Sequence, residues 1–164
     1  MKKVLALALA LIMIFAMAAC DTTNNPGTIT NPTTPKFDPS AKSEGTMTYA
    51  EYAAAEMDAE VVIECYVQAT QSWWDNKITV YAAAEDGAYF IYEMACSEED
   101  AAKLVPGTKI NVHGYKGAWA GEVEVMDATF EIVEGGETYI AEATDVTALL
   151  GTEELINHQN EKVQ

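Results

Sequence analysis

Arginine is missing from this chain altogether. All nine cations are lysines, set against 26 carboxylates, and the formal net charge is -17. A nucleic-acid binder needs cations along the phosphates, because that attraction supplies nearly all sequence-independent affinity. No nucleic acid is therefore expected as a partner, and the surface repels anionic lipid head groups as well. Cationic peptides, neutral sugars, or a merely solubilising surface are what this acidity leaves open. Cysteine is scarce, at positions 20, 65 and 96, with no C-x-x-C spacing of the kind that holds zinc. Cys65 falls in a predicted strand at an inward parity; with Cys96 it forms either one disulfide or two buried thiols that act as small hydrophobes. G-x-S-x-G, H-E-x-x-H, Walker and EF-hand patterns are all absent. His113 and His158 stand alone, and Glu98-Glu99-Asp100 reads as charge at a helix start. No catalysis, cofactor or metal is expected.

What the chain does have is a long apolar run near its start. Lys2 and Lys3 precede uninterrupted apolar residues from Val4 to Ala19, and small residues lead into Cys20. That order is an export signal's: a positive end, a short apolar stretch and a small-residue cleavage site. A spanning helix needs about 20 apolar residues. Met17-Ala18-Ala19-Cys20 resembles a bacterial lipobox, which implies cleavage of residues 1–19 and a lipid on Cys20 that anchors the protein to the outer side of a cell membrane. Plain secretion after Ala19 and an uncleaved anchor are the rival outcomes.

Residues 21–45 are Thr, Asn, Pro and Ser with almost nothing apolar to bury, so 20–45 reads as a disordered tether spanning roughly 25 to 30 Å. Residues 46–164 make one domain. Thr48 and Glu51 fit a capping box that predicts a short helix over 49–57. Period-two alternation then takes over: Val61, Ile63, Cys65 and Val67 share one face, Glu64, Tyr66 and Gln68 the other. Strands over 77–84 and 88–94 flank Asp86-Gly87, a strong hairpin signal. Ser97 starts a helix that Pro106-Gly107 stops. Strands over 108–115 and 122–133 follow, joined by a turn at 117–121. In the tail, 138–146 predicts an edge strand and 152–163 a helix with Leu155 and Ile156 facing inward.

Three strands, a helix and two strands are the order of a five-stranded Greek-key barrel of OB type, making the fold class mainly β. The stretch LVPGTKINVHGYKGAWAGEVEVMDATFEIVEG resembles the fourth and fifth strands of bacterial OB-fold (oligonucleotide/oligosaccharide-binding) domains. Together with the Thr/Pro tether, it is similar to uncharacterised OB-fold lipoproteins, which implies a barrel at the cell surface and carries no catalytic residue. A five-stranded sheet with helices on one face is the alternative arrangement.

In this fold ligands sit on strands two and three, between the loop joining strands one and two and the loop joining four and five. Trp73, Trp74 and Asp75 fall at the first loop and Trp119 at the second. Pairing around Asp86-Gly87 puts Val80 and Ala82 in the core with Tyr89 and Ile91, and leaves Tyr81 outside with Phe90 and Tyr92. Tyr66 faces out by its own alternation. The expected ligand site is thus Trp73, Trp74, Trp119, Tyr81, Tyr92, Tyr66 and Asp75, with Glu64 and Asn76 nearby. Such rings and carboxylates suit a glycan or peptide, neutral or cationic. The competing expectation is a structural component of an envelope protein complex, its aromatics covered by a protein partner or by the chain's own ends.

Overall fold

The structure, a computed structural model, describes residues 37–164. The expected signal segment 1–19, the expected lipidation site Cys20 and most of the expected tether lie outside the described residues. Within them, no helix is long and apolar enough to cross a membrane.

Five strands carry the domain: β1 (Glu60–Thr70), β2 (Lys77–Ala84), β3 (Gly87–Ala95), β4 (Lys109–Trp119) and β5 (Glu122–Ile132). They close in the order β1-β2-β3-β5-β4. β1 pairs antiparallel with both β2 and β4, and a parallel β3–β5 contact completes the circle. The chain is an OB-type Greek-key barrel, not an open sheet with helices on one face.

Alternation explains the closure. Val61, Ile63, Cys65 and Val67 of β1 are buried, as are Val80 and Ala82, Tyr89 and Ile91, and Ile110 and Val112 on the strands that follow. Each fully buried aliphatic contributes about 1.5 to 3 kcal/mol, and a one-residue slip of any strand would turn its whole set into water. Cys65 and Cys96 are both free and buried. Burial pushes the Cys65 thiol up to about 12, so it packs as a hydrophobe and is not a nucleophile.

Helix α1 (Tyr49–Ala54) starts with the full Thr48–Glu51 capping box and stops short of the expected residue 57. The buried Lys116 ends it, donating to the Ala53 and Ala55 carbonyls at 2.7 and 2.8 Å. A cation on the last carbonyls is where the helix dipole favours one. Helix α2 (Glu98–Ala101) is a single turn capped by Ser97, shorter than expected, and sits between β3 and β4.

The tail departs from its expected form. The edge strand over 138–146 is reduced to an isolated bridge from Thr144 to Val163, because a barrel closed by β3 and β5 leaves no open edge for a sixth strand. The helix over 152–163 is a 3-10 segment, Glu153–His158, with Leu155 half-buried and Ile156 64% exposed. Neither residue has an apolar partner three or four positions on, so no stripe forms to bury. Side chains anchor this segment instead: Gln159 accepts from the Val123 N–H at 2.8 Å, and Asn160 donates to the Val123 carbonyl at 2.9 Å. At the other end, residues 37–45 of the expected tether lie on the barrel through Phe37 and Ser43.

Candidate functional site

The two turns flanking the sheet face place the tryptophans. Trp74 and Lys77 exchange backbone hydrogen bonds at 3.0 and 2.9 Å around Asp75 and Asn76, both at positive φ, 49° and 60°. This is a two-residue turn whose twist matches the strands it joins. Neighbours in an extended segment point opposite ways, so the adjacent indoles separate. Trp73 folds onto the core and donates its indole N–H to the Cys96 carbonyl at 2.9 Å. It closes one end of the barrel rather than facing a ligand, a correction to its expected role. Trp74 is 80% exposed. The β4–β5 turn is tighter than expected: Ala120 and Gly121 take φ of 50° and 98°, and Trp119 ends β4 opposite Glu122, 78% exposed.

The β2–β3 register is the expected one. Tyr81 pairs with Phe90, Ala82 with Tyr89 and Val80 with Ile91. Tyr81, Phe90 and Tyr92 form a row on the outer face, with ring centroids 5.2 and 6.3 Å apart in sequence. Tyr66 does not join it. Phe37 and Tyr139 cover its ring edge-on at 6.2 and 5.5 Å, and the Lys109 ammonium lies 5.6 Å above it. The chain's own ends bury Tyr66, which alternation within β1 could not foresee. Glu64 is buried beside it, 2% exposed, bound by Lys109 at 2.7 Å and the Ser43 hydroxyl at 2.6 Å. Burial pushes the Glu64 carboxyl up, but those two partners overcome it and hold the group below its ordinary range.

At its end of the row, Tyr81 lines a separate pocket of about 300 Å³ with Ile140 and Lys162 of the tail. The larger groove, about 880 Å³, runs between β3 and β5 and brings together Trp119, Phe90, Tyr92 and Asp75. β3 and β5 share one register pair, Ile91 with Val125, and two residues further along each strand Glu93 and Asp127 adopt φ of 45° and 48°. These left-handed residues sit in β-bulges, Glu93 in the β2–β3 ladder and Asp127 in the β4–β5 ladder. With Ile91 and Val125 in the core, Phe90, Tyr92, Glu124 and Met126 take the outer face and line the gap.

The groove is acidic. Five carboxylates line it (Asp75, Glu93, Glu122, Glu124 and Asp127) against the single cation Lys77. Lys77 is already engaged with Glu93 at 2.7 Å, and the Tyr92 hydroxyl donates to the same carboxylate at 3.1 Å; both hold Glu93 below its ordinary range. Glu124 differs: it is 5% exposed, and burial and then Glu122 push its carboxyl up. Among the described residues no cluster of three or more His, Cys, Asp or Glu is arranged to hold a metal ion.

Of the expected site, then, the structure gathers Trp119, Tyr92 and Asp75 in one groove, keeps Trp74 exposed beyond its lining, sets Tyr81 in a second pocket and takes Trp73 and Tyr66 out. The acidic wall from β5 was not anticipated. Its only sequence signal is the alternation Glu122, Glu124, Met126 against Val123 and Val125, which says "outer face" and not which neighbour that face meets.

No family model matches the chain, and no curated protein does. Among solved structures it is similar to Entamoeba histolytica asparaginyl-tRNA synthetase in complex with asparaginyl-adenylate, at 15% identity and a TM-score of 0.42, over 67% of this chain. The match spans 29% of that synthetase's length.

Proposed function

We propose that the protein is a lipid-anchored, extracytoplasmic binding module that holds a small neutral or cationic ligand, a glycan or a peptide, in the groove between β3 and β5. One observation carries this: an 880 Å³ cleft that joins exposed aromatic faces to hydrogen-bond acceptors on an otherwise closed barrel. Clefts of this size with a few convergent polar groups are where small ligands bind. The anchor rests on Cys20 and the apolar run before it. Phosphate backbones suit the groove poorly, since every lysine among the described residues already has a partner within the chain. We assign it binding and not catalysis, and a glycan and peptide array tests that. Binding that Trp119→Ala abolishes and Trp74→Ala leaves intact supports the groove; an array with no signal refutes it.

A second reading has its own support. Trp74 and Trp119 are the most exposed large apolar side chains of the described residues, on turns flanking one face. An envelope protein that covers both would make the barrel an assembly component. Loss of a co-purifying envelope partner on Trp74→Ala, with an unresponsive array, would favour it.

A further inference from the structure

Two buried glutamates of this barrel live in opposite circumstances. Glu64 has donors from Lys109 and Ser43. Glu124, at 5% exposure, has no side-chain partner among the described residues, and its carboxylate oxygens face the groove. These oxygens are not sealed in the protein, and a carboxylate that the protein leaves without a donor keeps its hydrogen-bonding capacity for whatever reaches it. Glu124 stands on the groove wall, beside the parallel pair Ile91 with Val125 and across from Phe90 and Tyr92. A ligand in the cleft that brings donors would therefore meet an acceptor that no side chain of the protein occupies.

The rest of the wall says what kind of donor. Carboxylates accept hydrogen bonds and cannot give them, and of the groove's charged donors Lys77 is already spent on Glu93. A sugar hydroxyl needs to donate and accept, so such a wall satisfies half of it. An ammonium group has three donors and no acceptor. Phe90, Tyr92 and Trp119 supply apolar faces for a methylene stem and π-faces for the charge at its end. A divalent metal lacks a ligand cluster among the described residues.

Resting on the groove reading above, we propose that its ligand carries an alkylammonium group, with Glu124 as the counter-ion and Trp119 and Tyr92 bracketing the stem. The group belongs to a lysyl side chain or to a free polyamine, and the chemistry is shared.

Tryptophan fluorescence titration of the purified protein tests this with four probes: Nα-acetyl-lysine methylamide, spermidine, the neutral isostere Nα-acetyl-norleucine methylamide, and cellotriose. At least one amine should bind tenfold or more tighter than the norleucine compound. Glu124→Gln should cut that preference below threefold while its melting temperature stays at or above the parent's, which separates lost recognition from lost fold. The tighter amine identifies the source, peptide or polyamine. Equal binding of the lysine and norleucine compounds, or an undiminished preference in Glu124→Gln, overturns the assignment. If cellotriose or the norleucine compound then binds in a Trp119-dependent way, the groove stands as a site and only its cation preference is wrong. Silence from all four probes overturns the cation, and a silent array would remove the groove with it.

Discussion

Removing the Glu64 carboxylate tests the barrel while leaving the groove untouched. Glu64 is 2% exposed and pairs at 2.7 Å with Lys109, whose side chain is 18% exposed, and it accepts from the Ser43 hydroxyl and N–H at 2.6 and 3.3 Å. Glu64→Ala strands a lysine and two donors in the wall. Breaking a buried pair from one side costs about 3 to 5 kcal/mol. Lys109 retains some water, which places the expected loss near the lower end, about 3 kcal/mol, or roughly 10 °C in melting temperature for a domain of this size. Glu64→Gln keeps an acceptor for Ser43 and should lose about half as much. Since Ser43 and Lys42 are fastened at this point, trypsin should also cut after Lys42 faster in both variants. The pH dependence has a definite sign. The folded carboxyl titrates below its ordinary value of about 4.5, so its stabilisation is present above that value and is lost as pH falls through the depressed folded pKa. Urea unfolding followed by circular dichroism should therefore show a gap between the parent and Glu64→Gln at pH 7 that narrows as the pH is taken below the ordinary carboxyl range. A Glu64→Ala loss under about 1 kcal/mol, or a gap indifferent to pH, would refute the reasoning.

The tryptophans should divide by role: Trp73→Ala loses about 3 kcal/mol because it opens the end of the core, whereas Trp119→Ala leaves thermal stability unchanged; acrylamide should quench Trp74 and Trp119 readily and Trp73 weakly. Gly87→Ala should destabilise by about 1 to 3 kcal/mol in chemical denaturation, since a Cβ there would sit 2.1 Å from the Tyr49 ring and push α1 off the barrel. Glu124→Gln should gain on the order of 1 kcal/mol at pH 8 and nothing at pH 4. Its folded carboxyl titrates above the ordinary value, facing Glu122 on its own strand and Glu93 and Tyr92 on β3, so the parent loses stability as pH rises through that range. Equal urea midpoints at both pH values would contradict it.

Much of the barrel was legible because its information is local. Val61, Ile63, Cys65 and Val67 alternate, the hairpin turns at Glu85-Asp86, one residue before the expected Asp86-Gly87, and its even length makes Tyr81 meet Phe90. The fate of Tyr66 was not legible: its parity says only that it leaves the barrel interior, and Phe37 and Tyr139, far away in sequence, decide that it stays dry. Trp73 and Trp74 were indistinguishable as letters until the turn at Asp75-Asn76 set one inward and one outward. The tail misled because the expected edge strand presupposed a free sheet edge, and closure had already removed it.

By itself, the order of the residues determined the strand periods, the capped helix start, the export-like beginning and the acidity, since each depends on neighbours a few positions apart or on a simple count. Tertiary structure alone decided which outer faces stay wet and where the acidic groove opens. Those outcomes depend on β3 and β5 meeting at Ile91 and Val125, a contact between segments more than thirty positions apart that no local pattern encodes.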